Sequence, residues 1–176
     1  GGHLYFAESL DTFLADLRRA KPTLFISVPR LWVKFQQGVH SKLAPRKLSL
    51  LLKLPIIGKL VRHKVLAGLG LEHCRIAGSG SAPLAADVLR WYRSLGLELL
   101  EGYGMTENAI THGTLPGISK PGTVGVAYDG VDTRIDPETG EIQIRSPSTP
   151  IGYFKEPEQT AAAFTVDGWF RTGDKG

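Results

Sequence analysis

The sequence predicts an α/β fold: a partial parallel βαβ sheet with flanking helices, followed by a small antiparallel β lobe. One observation is a strand, a helix and a second strand joined by short turns over residues 72–104, because parallel pairing requires such a crossover. Another is the change after about Thr111 to short alternating apolar runs between Asp-Gly and Asp-Pro-Glu-Thr-Gly turns. We therefore predict two domains, residues 1–110 and residues 111–176.

The first forty residues predict a helix, a strand and a second helix. Ser9 is a suitable N-cap for a helix whose apolar side chains recur at helical spacing until Pro22. The run TLFISV is short, apolar and partly β-branched, which is typical of a buried strand, and Pro29 ends it. Apolar residues again share one helical face over residues 30–40, which predicts the second helix.

A strongly basic segment follows. Residues 21–71 hold ten basic residues and no acidic one, whereas residues 72–176 hold nine basic and fourteen acidic residues. We predict two basic amphipathic helices over residues 41–70, separated near residues 55–58. The absence of acids favours an anionic partner, either phospholipid head groups or a phosphorylated cofactor. We expect no nucleic acid, since the aromatic residues follow apolar spacings rather than alternating with the bases.

Two interpretations of these basic helices stay open. In the one we favour, they pack as a helical lid on the same domain. In the other, they lie on an anionic membrane surface, which would be contacted by Arg46, Lys47, Lys53, Lys59, Arg62 and Lys64. The single cysteine, Cys74, fits a reducing cytoplasmic setting, and the second interpretation adds a peripheral position on the inner membrane face.

The βαβ unit predicts a binding site. The segment EHCRIAGSGSAPL reads as a strand entering a Gly/Ser loop, after which Pro83 opens a helix that ends at Gly96. The next strand, LELLEGYG, begins at once. Ligands collect at the carboxyl ends of parallel strands, so the loops GSGSAP and EGYGMTE should lie at one edge. An ordinary strand exit is the structural alternative.

The second lobe contains three short strand patterns, TVGVAY, VDTRI and EIQIRS. A brief helix is predicted over KEPEQTAAA, with Pro157 near its first position. The final DGWFRTGDKG is predicted to be a turn with an aromatic pair, a base and an acid.

The side chains around these loops favour nucleotide binding. The nucleophile elbow, the phosphate loop with Gly-Lys-Ser/Thr and the Rossmann glycine fingerprint are all absent from the sequence, and its five histidines lack metal-site spacing. Tyr103 could stack on a base, and Thr106 could bond a phosphate oxygen. Glu107 could hold magnesium, and Asp174 could accept from ribose hydroxyls. These residues indicate that the chain binds a nucleotide but do not identify a reaction.

Five segments, in order, resemble signature segments of the AMP-forming adenylating superfamily, which includes acyl-CoA synthetases. They are GSGSAPL, EGYGMTEN, KPGTVG, GEIQIRSP with GYFKEPEQTAAAF, and DGWFRTGD. The chain most resembles bacterial long-chain fatty-acid–CoA ligases, through PTLFISVPRLWVKFQQG and YGMTEN. The resemblance implies a fatty acid, ATP and coenzyme A as substrates, with Mg²⁺.

The resemblance also implies roles for individual residues. Gly80, Ser81 and Ala82 would line the adenine and acyl pocket, and Asp174 would bind the ribose. Glu101, Gly102 and Tyr103 would bind adenine, within a nucleotide-binding segment that also contains Gly104 and Met105. Thr106 would contact the AMP phosphate, and Glu107 would ligate Mg²⁺. Thr106 and Glu107 are the residues implied to act in catalysis.

Two parts of the superfamily pattern have no counterpart here: the Ser/Thr/Gly-rich phosphate loop and the C-terminal lid with its lysine. We therefore expect an internal fragment of the large N-terminal domain, with sheet edges open to self-association and no detectable ATP–pyrophosphate exchange. The leading hypothesis is a fragment of a fatty acyl-CoA ligase. The alternatives are an adenylating enzyme for another carboxylic acid, and a non-catalytic membrane-surface or partner-binding module built on residues 21–71.

Overall fold

The computed structural model describes residues 2–176; Gly1, with which the first predicted domain begins, lies outside them. Contacts divide the chain into two compact units. The first unit runs to Glu101 and resumes over Leu115–Thr123, and the second unit comprises Gly102–Thr114 and Val124–Gly176. This division passes through a single strand rather than at residues 110/111, because the end of that strand forms a hairpin with the next one.

The first unit is a parallel sheet with helices. Its elements are α1 (Phe13–Ala20), β1 (Leu24–Ser27), α2 (Pro29–His40), α3 (Pro45–Leu52), α4 (Pro55–Leu69), β2 (Ile76–Ser79), α5 (Ala86–Ser94) and the start of β3 (Leu99–Met105). β2 pairs in parallel with both β1 and β3. The predicted βαβ unit is confirmed. No helix within residues 2–176 is long and apolar enough to cross a membrane.

Four local predictions in this unit are wrong in detail. α5 begins at Ala86 rather than at Pro83. α1 begins at Phe13 rather than after Ser9, because the Ser9 and Thr12 side chains each accept from the other's backbone N–H and form a separate turn. β1 is not buried, since Leu24 is 54% exposed. The two basic helices are separated at residues 53–54, and Pro55 starts α4, a position at which proline loses no helical hydrogen bond.

Trp32 holds the core of the first unit together. Its side chain is fully buried, and its ring meets those of Phe25, Phe35 and Tyr92 edge to face. The indole Nε1 donates to the Gly78 carbonyl at 3.1 Å, and the Tyr92 hydroxyl donates to the Trp32 carbonyl at 2.7 Å. These contacts fix α2, α5 and β2 to one another.

The second unit is antiparallel. Beyond the end of β3, its elements are β4 (Ala109–Gly113), β5 (Val126–Ala127), β6 (Asp132–Ile135), β7 (Glu141–Arg145), α6 (Pro157–Ala162) and β8 (Phe170–Lys175). β7 pairs with β6 and β8 in a three-stranded antiparallel sheet. The small antiparallel lobe is confirmed. The prediction of a turn over DGWFRTGDKG is wrong, because Phe170–Lys175 pairs with β7 and Phe170 is buried.

Two arginine side chains pack on the tryptophan that precedes β8. The guanidinium groups of Arg134 and Arg145 lie 4.5 and 4.7 Å from the ring centroid of Trp169, the residue before β8. Arg134 also donates to both carboxylate oxygens of Asp167 and holds the pKa of that carboxyl well below its usual range. The strand that carries Asp174 is therefore anchored at its beginning.

Candidate functional site

The end of β2 lies beside the middle of β3 in the first unit, because β3 continues through Met105 instead of ending in a loop at Glu101 as predicted. Ser79 and Glu101 are partners in the parallel register, so the loop that starts at Gly80 leaves the sheet beside Glu101. The Leu84 N–H donates to Glu101 Oε1 at 3.2 Å, which ties the far end of the loop to β3. Ser81 adopts a left-handed conformation (φ +67°), which is uncommon for serine.

Burial dominates the electrostatics of Glu101. Its side chain is buried, which raises the pKa of the carboxyl, and the hydrogen bond from Leu84 opposes that rise. Next to it in the register, the Ser79 hydroxyl is buried without a hydrogen-bond partner among the described residues. Sequence reasoning missed Ser79, because a serine inside an apolar strand reads as ordinary sheet.

The raised pKa of Glu101 predicts a pH-dependent contribution to stability. The folded state holds the proton to higher pH than the unfolded state, so the Glu101 contribution to the free energy of unfolding falls as pH rises above about 4.3, the usual glutamate pKa. Urea denaturation of the wild type and Glu101→Gln across this range measures it. The wild type should lose stability relative to the variant as pH rises. If the difference in free energy of unfolding stays constant, or grows in favour of the wild type, the pKa of Glu101 is not raised in the folded state.

The structure explains why position 104, directly after Tyr103, is a glycine. A Cβ at this position would collide with the carbonyl oxygen of Ala109, because β3 and β4 approach each other closely at an irregularity between Tyr103 and Gly104. Any larger residue would push the hairpin apart. The Gly-Tyr-Gly pattern thus has a structural cause at its second glycine, whatever its part in binding.

Tyr103 and Asp174 form a pair in the second unit. The Tyr103 hydroxyl donates to Asp174 Oδ2 at 2.8 Å, across 71 positions of sequence. The ring is half-buried and meets His112 edge to face. Burial, reinforced by the Asp174 charge, raises the pKa of Tyr103 to about 12. The phenol is therefore neutral at physiological pH and acts as a donor.

Thr106 and Glu107 lie in the turn that follows β3. Thr106 is exposed and available to a ligand. Glu107 Oε1 accepts from the Tyr153 hydroxyl at 3.1 Å. The neighbouring Asn108 is buried, and its Oδ1 accepts from the Met105 N–H at 3.4 Å. Sequence reasoning missed Tyr153 as a contact of the site, although it lies in the quoted segment GYFKEPEQ.

The residues at Glu107 fit a magnesium ion shared with phosphates. Throughout residues 2–176, no group of three or more His, Cys, Asp or Glu residues could hold a metal ion. Mg²⁺ usually takes one or two carboxylates and completes its shell with water and phosphate oxygens. Glu107 has one oxygen bonded to Tyr153 and a second oxygen available, so it suits that mode and not an all-protein cage.

The predicted site residues thus form one group in each unit. The first unit holds Gly80–Ala82 and Glu101, which the register and the Leu84 bond bring together. The second unit holds Gly102–Glu107 and Asp174, linked by the Tyr103 hydrogen bond. Their assignment to adenine, ribose, phosphate and metal stays a prediction.

Comparison with known proteins identifies the family. The AMP-binding enzyme family matches residues 1–154. The long-chain-fatty-acid–CoA ligase ACSBG2 of Xenopus laevis is 31% identical over 100% of the chain and 28% of its own length. FadD15 of Mycobacterium tuberculosis (strain ATCC 25618 / H37Rv), a long-chain-fatty-acid–CoA ligase, is 32% identical over 97% of the chain and 32% of its own length.

Solved structures agree. The crystal structure of ATP-bound MatB from Rhodopseudomonas palustris is 34% identical, with a TM-score of 0.66 over 93% of this chain and 30% of MatB. The chain spans about a third of the length of the relatives it matches. Its fold is that of adenylating enzymes, and the chain belongs to the AMP-binding enzyme family.

Proposed function

We propose that the chain is part of an ATP-dependent long-chain fatty acid–CoA ligase. In that reaction a fatty carboxylate attacks ATP to give acyl-AMP and pyrophosphate, and the thiol of coenzyme A then displaces AMP to form the thioester. The identity to two long-chain ligases supports the substrate class. The observation that carries the nucleotide part is the hydrogen bond between Tyr103 and Asp174, because it joins the adenine and ribose candidates.

The chain's own groups would bind and orient the nucleotide. Tyr103 would stack on the purine while its hydroxyl holds Asp174, whose free oxygen would accept from the ribose hydroxyls. Thr106 would donate to the AMP phosphate, and Glu107 would supply one ligand to Mg²⁺, which neutralises phosphate charge when bound. Tyr153 would keep the Glu107 carboxylate oriented. Gly80, Ser81 and Ala82 would line the adenine and acyl pocket.

Binding of AMP by this chain, followed by NMR chemical shifts, tests the proposal. Asp174→Asn should weaken AMP binding about ten- to 150-fold, because hydrogen bonds to charged groups contribute about 1.5–3 kcal/mol. The same substitution should barely affect 2′,3′-dideoxy-AMP, which has no ribose hydroxyls to lose. Asp129→Asn, at an exposed aspartate, is the matched control. Equal losses for both nucleotides would refute the ribose role.

The proposal also covers turnover. The chain spans about a third of the length of its relatives, so we propose that it contributes to the nucleotide site without catalysing ATP–pyrophosphate exchange by itself. Activation of another carboxylic acid is the alternative within the superfamily. A profile of acids of different chain length on a complete ligase carrying this segment would separate the two.

A second candidate function is attachment to an anionic membrane surface. α3 and α4 expose large apolar side chains: Leu50 is 65%, Ile56 76% and Leu60 66% exposed. The bases Arg46, Lys47, Lys53, Lys59 and Lys64 are exposed on the same two helices and their junction, and Arg62 on α4 is half-buried. Apolar side chains among lysines, without acids, are typical of helices that lie in a membrane interface.

Sedimentation with vesicles of phosphatidylglycerol and phosphatidylcholine tests this attachment. Replacing Lys53, Lys59 and Lys64 with glutamate should abolish co-sedimentation at low salt, because each base near an anionic surface contributes about 1 kcal/mol. A matched variant with glutamate at Arg75, Lys120 and Lys155, three exposed bases outside the segment, should still sediment. Absence of wild-type sedimentation at low salt, or equal loss in both variants, would exclude this role.

A further inference from the structure

A groove of about 470 Å³ lies in the first unit, between the end of α2 and helices α3, α4 and α5. Its volume is within the range of small-molecule sites, roughly 300–1,000 Å³. Leu48, Leu52 and Trp91 give it an apolar wall. None of the residues assigned to the nucleotide lines it.

Every charged side chain that lines this groove is basic. Lys53, Arg62 and Arg90 lie along it, and no carboxylate of the described residues forms a salt bridge with any of them. Arg62 is held in place, because its Nε donates to the Ser94 carbonyl at 2.9 Å and an Nη to the Leu52 carbonyl at 3.3 Å. The groove therefore presents fixed positive charge beside an apolar surface and has no anion of its own.

Two buried nitrogen atoms in the groove lining also lack partners. His40 Nε2 and Trp91 Nε1 have no hydrogen-bond partner among the described residues, and the two rings meet edge to face with centroids 5.4 Å apart. An indole N–H can only donate, so burying it without an acceptor is costly. Both nitrogen atoms are closed to solvent and do not face the open groove, so an anion in the groove would meet the basic side chains instead.

We propose that this groove binds a single-chain anionic amphiphile, a free fatty carboxylate, apart from the nucleotide residues. The carboxylate pairs with Lys53, Arg62 and Arg90, because guanidinium groups bind carboxylates in a matching planar geometry. The alkyl chain lies against Leu48, Leu52 and Trp91. The apolar side chains that suit a membrane surface, Leu50, Ile56 and Leu60, do not line the groove, whereas Lys53 and Arg62 belong to both basic sets. The proposal rests on the groove and not on the ligase reaction.

Titration of the whole chain with octanoate, followed through the indole N–H signal of Trp91 by NMR, tests the proposal. We expect a saturable shift, about tenfold tighter binding of decanoate for its two extra methylenes, and at least tenfold weaker binding of octanol. Lys53→Gln with Arg90→Gln should weaken octanoate binding at least tenfold. Lys34→Gln with Lys42→Gln, which removes two exposed charges of the same basic segment outside the groove, should leave the affinity unchanged.

Several outcomes would overturn the proposal. Octanol binding as tightly as octanoate would show that charge plays no part, and equal weakening by the two double variants would show only diffuse attraction. Tighter binding of dihexanoyl-phosphatidylglycerol than of octanoate would assign the groove to a phospholipid head group instead. Absence of any saturable Trp91 shift on titration of the folded wild-type chain with octanoate would also refute the proposal.

Discussion

Replacing Trp32 with alanine is expected to lower the free energy of unfolding by about 3–5 kcal/mol, the usual cost of truncating a fully buried aromatic side chain. Three aromatic rings would lose their central neighbour. The Gly78 carbonyl would lose the indole donor, and the cavity would lie between α2, α5 and β2, where the Tyr92 hydrogen bond limits collapse.

Urea denaturation followed by circular dichroism measures this loss. Phe154→Ala is the control, because that side chain is 86% exposed and its removal should change stability by less than about 0.5 kcal/mol. Trp32→Phe, which keeps an aromatic ring, should fall between the wild type and alanine. A cost below about 1 kcal/mol for Trp32→Ala would mean that the core does not depend on this residue.

Tyr103→Ala is expected to weaken AMP binding about five- to 150-fold, since stacking of a base on an aromatic ring contributes about 1–3 kcal/mol. The substitution also releases Asp174 from its hydrogen bond, so both sides of the proposed nucleoside contact are affected. Tyr103→Phe should cost less, because it retains the ring and removes only the hydroxyl that orients Asp174.

The same AMP titration gives the affinities, and a denaturation curve for each variant separates lost binding from lost folding. Tyr5→Ala, at an exposed tyrosine in the first unit, is the control and should bind like the wild type. Wild-type affinity in Tyr103→Ala would exclude stacking on this ring. An affinity of Tyr103→Phe as low as that of alanine would assign the effect to the hydroxyl alone.

Local patterns predicted the parallel part of the fold well. The strand β3 and the helices α2 and α5 follow from apolar spacing with glycine or proline at or near their ends. Two of the mispredicted segments depend on distant or alternative partners. Ser9 bonds Thr12 instead of capping a helix, and DGWFRTGDKG becomes a strand only because β7 supplies the pairing groups.

The candidate site, too, was predictable only in part. The order of the motifs identified the loops and the superfamily, which the family match bears out. Which side chain holds which carboxylate was not readable from the sequence, because Tyr103 and Asp174 lie 71 positions apart and Tyr153 reaches Glu107 across 46. Such pairs depend on how strands align in space, and a single sequence does not report that alignment.

The two guanidinium groups packed on Trp169 have a consequence for behaviour in concentrated electrolyte. Dissolved ions weaken exposed charge pairs, with a screening length of about 10 Å at 0.1 M and about 3 Å at 1 M. Dispersion contact between flat groups is insensitive to such ions. The arginine contacts with Trp169 combine electrostatic attraction with dispersion. The strand that carries Asp174 should therefore keep its position at ionic strengths that screen exposed salt bridges.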